Sequence, residues 1–213
     1  MNETVMINAY IVISIIIAAT DILLAVKSFK KNKTTGRFLG FACMGAAIVD
    51  ISYLISIISD SYMCMAAMSS IYFISIDFML VSLLIFTVYF TKGKFSGYGK
   101  WMVAFCFLYC IYELIVFAVN PFMEIAIEYK PRDTLIAKYS YQMKPLYELH
   151  LIFSYVMVLL VVGLLIRKIC KIPQEYRWQY LSVIIGILII VGSNAIFLFL
   201  PGESVVNLLD YSI

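Results

Sequence analysis

The sequence predicts an all-α integral membrane protein, a bundle of six transmembrane helices with its N-terminus outside. Of the 213 residues, 63% are hydrophobic and only 14% are charged, whereas a soluble domain carries about 25% charged residues. The apolar residues form six continuous runs, each near the roughly 20 residues that a helix needs to cross a bilayer. The runs lack the alternating pattern of a membrane β-barrel strand. We therefore expect one transmembrane domain over residues 1–213.

The predicted helices follow the apolar runs in chain order. The first run is an anchor rather than a cleavable leader, because no basic region precedes it and because it contains Asp21. The third run is long enough to cross the bilayer at a tilt. The six predicted helices cover residues 6–26, 38–58, 65–90, 101–119, 147–165 and 179–200.

The basic residues predict the orientation of these helices, because Lys and Arg favour the cytoplasmic loops. Twelve of the 16 basic residues lie after the first, third and fifth helices, which makes these three loops cytoplasmic. They are Lys27, Lys30, Lys31, Lys33, Arg37, Lys92, Lys94, Lys100, Arg167, Lys168, Lys171 and Arg177. The other four, Lys130, Arg132, Lys138 and Lys144, lie in one long loop, which we expect outside.

The long outer loop, residues 120–146, is rich in tyrosine and contains three prolines. Long loops in compact proteins are often functional or disordered, and aromatic residues suit the membrane interface. Two interpretations stay open for this loop: a lid over the bundle or a solvated connector.

Ionisable residues at bilayer depth are candidates for function, because burying them costs several kcal/mol. Asp50 and Asp77 lie in the middle of the second and third helices, with no basic partner evident in the membrane. They indicate either a polar pocket or hydrogen bonds between helices. Towards the outer face lie Glu113, Asn120, Glu148, His150 and Asn194, which we take as the candidate ligand-binding residues.

Several functional classes have no support. His150 is the only histidine, and with scattered carboxyls it does not predict a metal site or a cofactor. The five cysteines form no CxxC pair. The chain contains no HExxH, paired-aspartate protease motif or phosphate-binding glycine loop, so we do not expect an enzyme. A net charge of +3 without a soluble basic face excludes nucleic acid as an expected partner.

Several residues of the second half of the chain form a pattern: the Asn120-Pro121 pair that ends the fourth helix, then Leu149, His150, Tyr155, Tyr176, Arg177, Gln179, Gly186 and Asn194. With these residues, the segment from Pro145 to Leu200 resembles the N-terminal seven-helix membrane region found ahead of bacterial histidine kinases and of some diguanylate cyclases. The resemblance extends to the whole chain in the spacing of its helices. A departure is Met123-Glu124, where the family pattern implies a histidine.

The resemblance implies a sensor or receptor module in the bacterial cytoplasmic membrane, of the two-component type. An outer or membrane-borne signal, of unknown chemistry, would act on the bundle, and a cytoplasmic kinase or cyclase domain would receive it. It also implies a homodimer and a seventh helix after Asp210 and Tyr211, so we expect the chain to be cut before that helix. The alternative is a small transporter or channel that uses Asp50 and Asp77.

Overall fold

The computed structural model describes residues 3–31, 33–93, 97–131, 138–178, 180–181 and 183–185. Five long helices account for most of them: α1 (Glu3–Lys30), α2 (Thr34–Ile58), α3 (Tyr62–Lys92), α4 (Gly97–Met123) and α5 (Pro145–Ile169). Each contains a stretch long and apolar enough to cross a membrane. The prediction of a helical integral membrane domain is thereby confirmed.

The sixth predicted helix, residues 179–200, lies almost entirely outside the described residues. Residues 174–178, 180–181 and 183–185 are helical. Asn194, one of the candidate ligand-binding residues, lies outside the described part of the chain. The count of six helices and the N-terminus outside therefore stay predictions.

The chain forms two compact units, Ile13–Val161 and Met1–Val12 with Val162–Ile213. The first unit contains most of the described helical residues and all of the candidate site described below. The prediction of a single transmembrane domain over residues 1–213 is not tested by this division and stays a prediction.

Helix α3 is the central helix of the larger unit, since it packs against both α2 and α4 and is the most buried of the five. Its start is capped by the Ser61 hydroxyl, which accepts from the backbone N–H of Cys64. Its end is closed by Gly93 at φ 75°, a left-handed conformation that glycine adopts without strain. On α2, a Cβ on Gly45 would lie only 3.0 Å from Met79 Cβ, so glycine permits the close approach of α2 to α3.

The loop between α4 and α5 is more ordered than the sequence predicts. Strands β1 (Ile127–Pro131) and β2 (Tyr139–Met143) pair antiparallel, with Tyr129 opposite Tyr141. The chain is nearly all helical, as predicted, and this two-stranded hairpin replaces part of the predicted loop. Helix α4 also continues past the predicted end at residue 119, through Pro121 to Met123. Glu124, at φ 48°, then turns the chain towards the hairpin.

Candidate functional site

Three polar side chains meet inside the larger unit, one from each of α3, α4 and α5. Asp77 is 2% exposed, Glu113 1% and His150 2%. The Nδ1 atom of His150 lies 3.3 Å from Glu113 Oε2 and 3.5 Å from Asp77 Oδ1. We call these three residues the carboxylate–histidine cluster. His150 is thus the basic partner that the sequence did not reveal for Asp77.

Aromatic rings enclose the imidazole of the cluster. Phe73 and Phe117 are stacked on each other, and each meets His150 edge to face, at centroid distances of 5.5 and 5.1 Å. The Tyr147 ring lies 6.0 Å from the imidazole. These packed rings keep water away from His150 and restrict its rotation.

The cluster has hydrogen-bonding capacity that the surrounding protein does not use. None of the four carboxylate oxygens of Asp77 and Glu113, nor His150 Nδ1, has a hydrogen-bond partner among the described residues. The Tyr109 hydroxyl interacts electrostatically with Glu113 but lacks hydrogen-bond geometry. Ser154, one turn after His150, has a buried hydroxyl that is also unsatisfied. Buried polar groups are normally satisfied, so this concentration of unsatisfied atoms marks the cluster as the candidate site.

The polar atoms of the cluster are of types that bind metal ions. One ligand atom from each of Asp77, Glu113 and His150 can be chosen so that all three lie within 4.8 Å of one another. Cys110 lies close by, with its Sγ 3.9 Å from the backbone oxygen of Asp77. We did not predict a metal site from the sequence, because Glu113 lies 36 positions after Asp77 and His150 lies 37 positions after Glu113.

Asn120 joins α4 to the hairpin instead of facing the cluster. Its side-chain oxygen accepts from the backbone N–H groups of Ala126 and Ile127, at 2.8 and 3.0 Å. Its amide nitrogen donates to the Ile127 carbonyl at 3.2 Å and to the Tyr129 hydroxyl at 3.4 Å. Burial raises the pKa of Tyr129, so its phenol stays protonated at neutral pH. Asn120 is therefore an anchor for the hairpin in this structure.

The hairpin is also fastened to α2 and α3. The Tyr141 hydroxyl lies 3.2 Å from the hydroxyl of Ser56 and 3.5 Å from that of Ser69. Lys138 pairs with Asp60, at the junction of α2 and α3. These contacts hold the hairpin against the end of the bundle where α2 ends and α3 begins.

A continuous apolar core connects the hairpin to the cluster. Ile127 and Tyr129 of β1 pack in one group with Phe73, Phe117 and Tyr147, the rings that enclose His150. Packed side chains therefore extend without a break from the hairpin to the imidazole.

The remaining candidate residues lie elsewhere. Glu148 is exposed, although it precedes His150 by only two positions, because residues two apart point to different sides of a helix. Asp50, on α2, interacts electrostatically with Asp21 of α1. It lines a groove of about 200 Å³ between these two helices. Asp50 and Asp77 therefore have different partners.

Sequence reasoning missed the enclosing rings, although a signal for them was present. Phe73 precedes Asp77 by four residues, Phe117 follows Glu113 by four, and Tyr147 precedes His150 by three. Such spacings place each ring on the same helix face as its polar neighbour. The association of Asp77 with the outer set was also missed, since Asp77 was placed apart from it as a mid-membrane residue.

Comparison with known proteins identifies one similarity. A family model described as the N-terminal 7TM region of histidine kinase matches residues 9–212. No match was found among curated proteins or among solved structures.

Proposed function

The chain belongs to the family of N-terminal 7TM regions of histidine kinases, and from this membership we propose that its carboxylate–histidine cluster receives the signal of a membrane sensor. The family region is a non-catalytic sensor module in a multi-pass membrane protein. We further propose that it lies in a bacterial cytoplasmic membrane as a homodimer. A cytoplasmic kinase or cyclase domain would then receive the signal.

The burial of the cluster is the observation that carries the proposal. Ionisable groups inside the membrane are costly and rare, and they usually serve function. Asp77, Glu113 and His150 are almost fully buried, yet their polar atoms lack hydrogen-bond partners among the described residues. A purely structural role would favour satisfied hydrogen bonds between the helices.

The position of the cluster suits a switch between two packings of the bundle. It joins α3, α4 and α5, so a ligand that changes one contact changes the relation of three helices. A ligand shifts such an equilibrium only by its differential affinity for the two states. The packed rings between the cluster and the hairpin provide a route by which a change at the hairpin would reach the cluster.

The pattern of charge supports the hairpin side as the outer side. Within the described part of the chain, each lysine ion pair lies on this side: Lys130 and Lys144 with Glu128, and Lys138 with Asp60. The positive-inside rule counts Lys and Arg in the loops, and twelve of the 16 lie in the loops on the opposite side.

The signalling output of the complete protein in its native cells tests this proposal. The output is the phosphorylation of the kinase domain, or the cyclic dinucleotide level if a cyclase follows residue 213. We expect Glu113→Gln and Asp77→Asn to change the basal output, because they alter the balance of two packings. Each kcal/mol of bias changes a two-state ratio roughly fivefold. Glu148→Gln, an exposed carboxyl on α5, is the matched control and should leave the output unchanged.

The alternative is a transporter or channel that uses Asp50 and Asp77. It predicts ion flux into proteoliposomes that Asp50→Asn and Asp77→Asn both abolish. The sensor predicts no such flux. The different partners of the two carboxyls, Asp21 for Asp50 and the cluster for Asp77, do not favour a shared pathway.

A further inference from the structure

We infer that Asp77, Glu113 and His150 bind one divalent first-row transition-metal ion, of which Zn²⁺ is the best match. This inference deepens the proposed function and rests on it, because the ion would be what the sensor binds. The ligand atoms are His150 Nδ1, one oxygen of Glu113 and one oxygen of Asp77.

Two distances within the cluster match those of a metal site. Zn²⁺ binds nitrogen and carboxylate oxygen at about 2.0–2.2 Å in tetrahedral geometry, which separates neighbouring ligand atoms by about 3.3–3.6 Å. His150 Nδ1 lies 3.3 Å from Glu113 Oε2 and 3.5 Å from Asp77 Oδ1. Two edges of the ligand triangle are therefore already at the required length, and all three ligand atoms lie within 4.8 Å of one another.

The side-chain types of the cluster also suit a divalent cation. Two of the three side chains are carboxyls, and no lysine or arginine of the described residues forms an ion pair with Asp77 or Glu113. A divalent cation bound by two carboxylates and one neutral imidazole gives a site without net charge, which avoids the several kcal/mol that an uncompensated buried charge costs.

The ligand types select the class of metal. Imidazole favours Zn²⁺ and its neighbours in the first row, whereas Ca²⁺ and Mg²⁺ prefer sites made only of oxygen. Three protein ligands leave a fourth tetrahedral position open, as in zinc sites that exchange an external ligand.

Equilibrium dialysis against Zn²⁺ tests the inference on the complete chain, in lipid nanodiscs and without a histidine tag. We expect about one Zn²⁺ per chain for the wild type and for Glu148→Gln. Loss of an outer hydrogen-bond partner weakens metal binding by about 10- to 100-fold, so loss of a ligand in Glu113→Gln or Asp77→Asn should weaken it by at least tenfold. Zn²⁺ should raise the Tm of the wild type and not that of either ligand variant.

Substitution of Co²⁺ into the wild type separates this site from the cysteines and does not depend on the folding of any variant. We expect visible bands of a tetrahedral Co²⁺ centre without a sulfur-to-cobalt charge-transfer band, since the ligands are nitrogen and oxygen. A sulfur band would move the metal to a cysteine such as Cys110 and overturn the inference. Equal Zn²⁺ binding by wild type and Glu113→Gln would show that the ion binds elsewhere, and absence of Zn²⁺ binding in both would show that the cluster binds no metal. Either result would overturn the inference.

The outcomes for the metal and for the sensor are distinguishable. If the chain binds no Zn²⁺ but Glu113→Gln still changes the signalling output, the metal is rejected and the sensor site stands. If Zn²⁺ binds as expected but no cluster variant changes the output, the metal site stands and the proposed function fails.

Discussion

His150 of α5 and Glu113 of α4 face each other at 3.3 Å in the interior of the larger unit, and Asp77 Oδ1 lies 3.5 Å from the same imidazole nitrogen. Their side chains come from helices that are separated in the chain by the hairpin. The contact therefore exists only when α4 and α5 pack side by side. It links the packing of the helices to the charge state of one buried site.

A double-mutant cycle between Glu113→Gln and His150→Gln should reveal coupling. Because the two side chains contact each other in a buried site, the free energies of unfolding should depart from additivity by about 0.5–3 kcal/mol. The measurement is reversible unfolding of the chain in mixed micelles. The control cycle, Glu148→Gln with His150→Gln, should be additive within about 0.5 kcal/mol. Additivity in both cycles would mean that Glu113 and His150 do not interact.

Asn120→Ala should destabilise the hairpin, because it removes the acceptor of two buried backbone N–H groups. Each buried donor left without a partner costs about 1–3 kcal/mol. Hydrogen exchange of the Ala126 and Ile127 amides measures the effect, and we expect it to accelerate strongly. Ser140→Ala, which removes a 3.3 Å hydrogen bond on the exposed part of the hairpin, is the control. Slow exchange in Asn120→Ala would show that other contacts hold the hairpin.

Gly45→Ala should weaken the packing of α2 on α3. The new Cβ would meet the Cβ and backbone atoms of Met79 at 3.0–3.3 Å, and a backbone cannot rotate away as a side chain can. Overpacking of this kind typically costs about 1–3 kcal/mol, which a thermal unfolding curve detects as a lower Tm.

Gly163→Ala is the matched control for this substitution. Among the described residues, nothing lies within 4 Å of the position that its Cβ would occupy. Alanine should there stabilise α5 by up to about 1 kcal/mol, because glycine loses more backbone entropy in a helix. If both substitutions had the same effect, the close approach at Gly45 would not be what decides it.

Labelling of cysteines on the two sides of the membrane tests the predicted orientation. In intact cells, a membrane-impermeant maleimide should label Gln142→Cys, on the exposed part of β2, in a Cys64→Ser background. Native Cys170, exposed after α5, should be labelled only once the membrane is permeabilised. The opposite pattern would place the hairpin in the cytoplasm and reverse the direction of the proposed signal.

The sequence was sufficient for the five long helices that the structure describes but not for their exact ends. Continuous apolar runs mark the part of a helix inside the membrane, whereas polar turns outside it, such as residues 97–100 at the start of α4, leave no hydropathy signal. The hairpin was not predicted because each of its strands is only five residues long, which is too short to stand out within a loop that is rich in tyrosine.

The cluster shows what a single sequence does not contain. Hydropathy gives the depth of Asp77, Glu113 and His150, but the rotation of each helix decides which side chains meet. Asp77 joins the other two because α3 is central, and that position follows from contacts between helices. Glu148 demonstrates the same limit, since two residues along α5 separate an exposed carboxyl from the buried His150.

The most direct test of the central claim uses the fact that His150 is the only histidine of the chain. NMR of the chain with ¹⁵N-labelled histidine, in nanodiscs and without a tag, reports on this one imidazole. We predict that Glu113→Gln and Asp77→Asn each shift the His150 nitrogen resonances and that Glu148→Gln and Asp50→Asn do not. Resonances that ignore Glu113 and Asp77, or that respond equally to Glu148, would contradict the carboxylate–histidine cluster as the site of this sensor.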